Sequence, residues 1–146
     1  MPGDSKLKNL SKNSTKMYER NCAFLIQWLL DNKPALITDN YKKELRRNQN
    51  EGKFIENSIF RQNVTPPIVF SDLKGEDIVA WLSSILRPNG DWFGSSVYRN
   101  HKNALKHFLY YYGLNISQYE KQIKEFFAQI NNQNSMLSPS KQVETR

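Results

Sequence analysis

Residues 95–112 read Ser95-Ser-Val-Tyr-Arg-Asn-His-Lys-Asn-Ala-Leu-Lys-His-Phe-Leu-Tyr-Tyr-Tyr112, and this stretch decides the predicted fold. At about 3.6 residues per turn, its side chains fall on two opposite arcs of one helix. The apolar arc contains Val97, His101, Ala104, Leu105, Phe108 and Tyr112. The opposite arc is basic and polar and contains Arg99, Lys102, Asn103, Lys106 and Tyr110. We predict a helix that Ser95 or Ser96 caps and that Gly113 ends in a left-handed conformation.

A second amphipathic stretch lies closer to the N-terminus. It predicts a helix that Ser14 or Thr15 caps and that runs to about Asp31, before Asn32-Lys-Pro34 ends it. Its apolar arc contains Met17, Tyr18, Cys22, Phe24, Leu25, Trp28 and Leu29. Its opposite arc contains Lys12, Lys16, Arg20, Ala23 and Gln27. The first two turns of this helix are therefore also expected to expose cations.

The segment between these two helices is more varied. A helix is predicted from Thr38 or Asp39 to about Asn50, with its apolar side formed by Ile37, Tyr41 and Leu45. Its outer side carries the densest cation cluster of the chain, Lys42, Lys43, Arg46 and Arg47. Both a solvated surface and an additional set of phosphate contacts are compatible with this cluster. Residues 51–67 favour an irregular loop with one or two helical turns around Phe54, Ile55, Ile59 and Phe60, and we interpret them as an insertion outside the core framework.

Two further helices complete the predicted fold. Glu76 and Asp77 favour the start of a helix whose buried stripe comprises Ile78, Trp81, Leu82, Ile85 and Leu86. Ser117 and Glu120 form a capping box that opens the last helix. One side of that helix is apolar and contains Tyr119, Ile123, Phe126, Phe127 and Ile130. The expected fold is an all-α, four- to five-helix orthogonal bundle.

Domain boundaries follow from the same patterns. We predict a flexible basic arm over residues 1–12, a helical domain over residues 13–130 with an insertion near residues 33–67, and a flexible tail over residues 131–146.

Charge indicates the class of partner. The net charge is +7 and the isoelectric point about 9.5, so polyanions are the expected partners and an acidic membrane surface the second choice. Residues 1–50 carry ten Lys/Arg against five Asp/Glu, and residues 93–146 carry seven against three. No apolar run approaches the length of a membrane span. We therefore expect no membrane partner, and a location in the nucleus of a eukaryote or in the cytoplasm or nucleoid of a prokaryote.

Sequence signals for catalysis are weak. The single cysteine, Cys22, excludes an internal disulfide and lies on the apolar arc of its helix, where a small core residue is expected. His101 is expected to be a core imidazole for the same reason. We find no glycine-rich phosphate loop, no zinc-ligand spacing and no Ser-His-Asp constellation. Neither catalysis nor a cofactor or metal is predicted for this chain.

Three motifs in order carry a resemblance to a known family. The first is Ser14-Thr-x-x-Tyr18 followed by an apolar helix ending in Trp28-Leu-Leu30. The second is Phe70-Ser-Asp-Leu-x-x-x-Asp-Ile-x-x-Trp-Leu82, and the third is Ser95-Ser-x-x-Arg-x-x-x-x-Ala-Leu-x-x-Phe-x-x-x-x-Gly113. The arrangement resembles the N-terminal, SAM-like core-binding domain of tyrosine recombinases, which include phage integrases and the Xer-, Cre- and Crypton-type enzymes. The link over residues 33–67 is longer than is usual in that family.

The resemblance implies duplex DNA binding without catalysis. In the family, strand transfer needs a separate domain with a His-x-x-Arg motif and a nucleophilic tyrosine, and neither His101 nor His107 is followed by an arginine at that spacing. The helices that match residues 14–30 and 95–112 approach the major groove with their N-terminal halves. The implied DNA contacts are Lys12, Ser14, Thr15, Lys16, Arg20, Ser95, Ser96, Arg99, Lys102, Asn103 and Lys106. Both N-terminal turns, near Lys16 and near Arg99, are thus expected on one cationic surface.

Other functions remain open at this point. The cations would also suit a helical protein-interaction adaptor with an acidic partner, or an RNA-binding component of an assembly. The apolar side of the last helix is compatible with docking on a recombinase catalytic domain or another protomer, or with folding back on its own bundle.

Overall fold

The structure is a computed structural model, and it describes residues 12–48, 50–59 and 66–135. Within these ranges the chain forms six α-helices and no named strand. They are α1 (Lys12–Asn32), α2 (Asp39–Arg47), α3 (Glu51–Ser58), α4 (Gly75–Ser83), α5 (Ser95–Tyr111) and α6 (Glu120–Ser135). Short 3-10 turns occupy Pro34–Leu36, Phe70–Asp72 and Ile116–Tyr119.

The all-α prediction is confirmed, whereas the orthogonal arrangement stays a prediction. The described residues contain one helix more than the predicted four to five, because the residues of α3 form a helix of their own. Most of the predicted arm and tail lies outside the described residues. Lys12 is the first residue of α1 and α6 continues past Ile130 to Ser135, and the predicted domain boundaries stay a prediction.

The described residues divide into two compact units. The first comprises the described parts of Met1–Leu73 and Asn100–Ile116, and the second those of Lys74–Arg99 and Ser117–Arg146. The helix α5 contributes its first five residues to the second unit and the remainder to the first.

The core of the first unit comes from α1, α2, α3 and most of α5. From α1 it takes the buried residues Cys22, Leu25, Ile26 and Leu29. From α5 it takes Ala104, Leu105, Phe108, Leu109 and Tyr111. The side chain of Thr38 accepts a hydrogen bond from the amide of Tyr41, which confirms Thr38 as the cap of α2. Thr38 and Pro67 also join through a backbone hydrogen bond beside the Ile37–Ile68 bridge.

The structure corrects the interpretation of residues 51–67 as lying outside the core. Ile55 and Ile59 are fully buried, and α3 packs against α1. The hydroxyls of Tyr41 and Ser58 are 2.6 Å apart in a buried hydrogen bond. The hydroxyl of Tyr112 donates to the carbonyl oxygen of Ile59 over 3.3 Å. The described part of the segment is therefore framework of the first unit.

The second unit is organised around the packing of α4 against α6. Ile78, Trp81 and Leu82 of α4 are buried, as predicted. The rings of Trp92, Tyr98 and Phe126 form an edge-to-face cluster with centroids 5.5–5.8 Å apart. Such aromatic clusters are worth more than the apolar area they bury.

The last helix does not present its apolar side to solvent. Four of its five predicted docking residues, Tyr119, Ile123, Phe126 and Ile130, are buried and the fifth, Phe127, is half-buried. The interpretation that this helix folds back is confirmed, and docking on a catalytic domain or another protomer stays a prediction.

Several finer predictions about helix starts and sides are wrong. Ser14 and Thr15 cannot cap α1, because the helix already begins at Lys12. Phe24 is 43% exposed and Leu86 is 41% exposed, although both were assigned to buried stripes. Conversely, Tyr98 and Leu109 are fully buried without having been predicted so.

Truncating Ile55 tests whether α3 belongs to the core. We expect Ile55→Ala to lower the free energy of unfolding by about 2–5 kcal/mol, because the change leaves a cavity. The matched control on the exposed side of α3, Asn57→Ala, should change it by less than about 0.5 kcal/mol. Urea unfolding of both variants gives the comparison. Equal effects of the two changes would contradict the assignment of α3 to the core.

Removing the Tyr98 hydroxyl tests a buried tether in the second unit. That hydroxyl donates to the carbonyl oxygen of Ile85 over 2.6 Å and accepts from the amide of Phe93 over 3.1 Å. Tyr98→Phe should cost about 1–3 kcal/mol, because both backbone groups lose their partner. Tyr110→Phe alters an exposed tyrosine and should cost less than about 0.5 kcal/mol in the same thermal melts. Indistinguishable melting temperatures would rule out the tether.

Candidate nucleic-acid interface

Three contacts within the first unit fix the relative direction of α1 and α5. The rings of Tyr18 and His107 stack with centroids 4.7 Å apart. The Sγ of Cys22 lies 3.4 Å from the carbonyl oxygen of Ala104. The Phe24 ring meets the His101 ring edge-on at 6.2 Å. Residue numbers rise along α1 as they fall along α5, so the two helices are antiparallel.

The closest of these contacts involves two small residues. Cys22 and Ala104 are both fully buried, and the thiol donates to a helix carbonyl. Burial is the main reason that the pKa of the Cys22 thiol is raised, and the charge of Glu19 raises it further. The thiol therefore stays protonated and packs as a small apolar group. The prediction of Cys22 as a core residue is confirmed.

The antiparallel register brings cations of the two helices to the same level along the helix axes. Arg20 falls between Tyr18 and Cys22 on α1, so along the helix axis it lies level with residues 104–107 of α5, the segment that contains Lys106, while its side chain is on the arc of α1 opposite these contacts. Both Arg20 and Lys106 are exposed. Lys16, one turn earlier on α1, is exposed as well. The first unit thus carries a set of exposed cations on neighbouring helices, which we call the α1/α5 cation set: Lys16, Arg20 and Lys106.

The expected common surface of the N-terminal turns near Lys16 and near Arg99 stays a prediction. Because the helices are antiparallel, the N-terminal part of α1 lies beside the C-terminal half of α5. Arg99 precedes His107 by eight residues of the same helix, about 12 Å of helix rise. It belongs to the second unit, whereas Lys106 belongs to the first.

The other predicted contact residues are distributed as follows. Lys102 and Asn103 of α5 are half-buried in the first unit, as are Ser14 and Thr15 of α1. Ser96 and Arg99 are exposed and Ser95 is half-buried, and all three belong to the second unit. The side chain of Lys12 lies outside the described part of the structure.

The cation cluster of α2 is solvent-facing. Lys43, Arg46 and Arg47 are exposed and Lys42 is half-buried. Arg46 and Arg47 stand in the last turn of the helix, where positive charge is favourable beside the negative end of the helix dipole. These two side chains can therefore stabilise their own helix without binding a ligand.

Sequence reasoning missed a pocket at the C-terminal end of α5. It has a volume of about 360 Å³ and is lined by Lys106, His107, Tyr110, Leu114, Asn115 and Ile116. Tyr110 is 53% exposed. Its position four residues after Lys106, on the same polar arc, was the available signal, because residues at that spacing are neighbours on a helix.

Among the described residues, no group of three or more His, Cys, Asp or Glu side chains is placed to hold a metal ion. In the same part of the chain, no helix has both the length and the apolar character that a bilayer span requires.

No protein-family model, no curated protein and no solved structure matches this chain. The resemblance to tyrosine recombinases therefore stays a prediction carried by its three motifs.

His107 offers a titration test of the α1/α5 geometry. Burial, and secondly the charge of Lys106, lower the pKa of its imidazole. We expect the His107 ring protons to titrate in NMR with a midpoint below about 6.5, the ordinary histidine value. Since the unfolded chain then takes up the proton at higher pH than the folded one, this group favours unfolding as the pH falls below that value.

The Lys106→Gln variant separates burial from the charge of Lys106 as causes of the lowered His107 pKa. It should raise the His107 midpoint only in part, because burial is the larger cause and remains. Lys106→Arg keeps the charge and should leave the midpoint unchanged. The His107→Gln spectrum identifies the resonances. A midpoint that Lys106→Gln leaves unmoved would show that Lys106 does not act on this ring.

Proposed function

We propose that this chain is a duplex-DNA-binding module, similar to the core-binding domain of tyrosine recombinases, and that it performs no catalysis by itself. The observation that carries the proposal is the α1/α5 cation set. Two antiparallel helices in direct contact carry Arg20 and Lys106 at about the same level along their axes, both exposed, in a chain of net charge +7. Exposed cations on neighbouring helices suit a phosphate backbone.

Different residues would bind the DNA backbone and the DNA bases. Lys16, Arg20 and Lys106 would bind phosphates, which gives affinity and orientation without sequence preference. Among the predicted contacts of the first unit, Asn103 carries an amide that could pair with a base edge, as asparagine does with adenine. A major groove about 12 Å wide admits one helix, so one helix of the pair would enter it while the other faces the backbone at its edge.

The predicted contacts of the second unit are kept separate in this proposal. Ser95, Ser96 and Arg99 supply hydroxyl and guanidinium groups at the start of α5. Hydroxyls and guanidinium groups commonly bind phosphates. These three residues stay predicted contacts of their own unit.

One observation favours a second candidate, binding of single-stranded RNA. Tyr110 is the most exposed of the large apolar side chains in the described residues and follows Lys106 by one turn. Single-stranded nucleic acids bind where cations alternate with exposed aromatic rings on which bases stack. The surface of a helical adaptor for an acidic protein would not need this ring.

Charge reversal tests the α1/α5 cation set. The triple variant Lys16→Glu, Arg20→Glu, Lys106→Glu should weaken duplex binding at least about tenfold at low salt and reduce the slope of log affinity against log salt by about three. Fluorescence anisotropy at several salt concentrations measures both quantities. Single-stranded RNA and an acidic protein serve as competing ligands.

A matched control carries the same change in net charge. Lys53, Lys121 and Lys124 are exposed lysines outside the α1/α5 cation set. Changing all three to glutamate should reduce affinity less than the test variant does and leave most of the salt slope. Equal losses of duplex affinity in both triple variants would show that the effect comes from net charge alone. Duplex binding no tighter than binding of the acidic protein would refute the proposal.

A further inference from the structure

The pocket at the C-terminal end of α5 has the composition of a site for one nucleotide. It lies entirely in the first unit, and its volume of about 360 Å³ falls within the usual range of roughly 300–1,000 Å³ for small-molecule sites. Leu114 and Ile116 supply apolar surface to its lining. Tyr110 adds a half-exposed aromatic ring.

The polar groups of the pocket are few and different from one another. Lys106 is exposed and supplies an ammonium group. Asn115 is exposed and supplies an amide with both donor and acceptor capacity. His107 is held against the ring of Tyr18, and its lowered pKa leaves it neutral near pH 7. The cation of the pocket is therefore Lys106.

These features match the parts of a nucleotide. A phosphate needs a cation, the flat face of a base needs an aromatic or apolar surface, and the edge of a base needs an amide or a similar group. The pocket has one of each. A fatty acid would need a longer apolar channel, and an acidic peptide would need several cations.

We infer that this pocket binds one unpaired nucleotide at the end of a duplex, with the base on Tyr110, the phosphate on Lys106 and the base edge on Asn115. The inference rests on the proposed function, because Lys106 also belongs to the α1/α5 cation set. A nucleotide that extends beyond the paired region can leave the duplex at little cost, since it has no partner strand to lose.

The experiment compares a blunt duplex with the same duplex carrying a one-nucleotide overhang. The wild-type chain should bind the overhang duplex at least about fivefold more tightly, which is the lower end of the effect of stacking one base on an aromatic side chain. Tyr110→Ala should abolish this preference and leave blunt-duplex affinity unchanged. Tyr110→Phe keeps the ring and should keep the preference. Asn115→Ala should weaken the preference without abolishing it.

The outcomes separate this inference from the proposed function. Equal affinities of the wild-type chain for both duplexes, or a preference that survives Tyr110→Ala, would overturn the pocket inference while duplex binding stands. If the wild-type chain binds neither duplex, the proposed function fails. Adenosine 5′-monophosphate then tests the pocket directly, because it should shift the NMR signals of the Tyr110 and His107 rings. The absence of such shifts at millimolar concentration would dismiss the pocket as a nucleotide site.

Discussion

The close approach of α1 to α5 is the constraint on which the first unit depends. The two helices meet where Cys22 and Ala104 leave room for a thiol to reach a backbone carbonyl at 3.4 Å. Both positions are fully buried, so a larger side chain at either would have to push the helices apart or adopt a strained rotamer. The stacking of Tyr18 on His107 needs the same separation. This contact therefore fixes which exposed cations of α1 lie level with those of α5 along the helix axes.

Helical periodicity explains why the elements could be predicted and their pairing could not. A repeat of apolar residues determines which side of α5 is buried, and Ala104, Leu105 and Phe108 are indeed buried. The same repeat contains no information on the direction of the neighbouring helix. The motif resemblance implied that both N-terminal halves act together, whereas the antiparallel contacts place the N-terminal part of α1 beside the C-terminal half of α5. Phe24 was wrongly assigned to the buried side of α1, because its ring packs edge-to-face with that of His101 and stays 43% exposed.

Short helices are harder to predict because tertiary contacts stabilise them. The helix α3 has eight residues, too few for a periodic pattern to emerge. Asn50 caps it by accepting the amide of Lys53 over 3.2 Å, a signal present in the sequence but common in loops as well. What decides the structure is the burial of Ile55 and Ile59 and the hydroxyl pair of Tyr41 and Ser58. Those partners are distant in sequence.

The pocket depends on one glycine. On a continuing helix, Asn115 would lie on the opposite side from Lys106, because nine residues correspond to about two and a half turns. Gly113 adopts φ 79°, and the amide of Leu114 donates to the carbonyl oxygen of Leu109 over 2.8 Å, which folds the chain back on the end of α5. Asn115 thereby joins Lys106 and Tyr110 in one pocket. The glycine was recognised in the sequence as a helix stop, but the side chains that it brings together follow from the path of the chain after the turn.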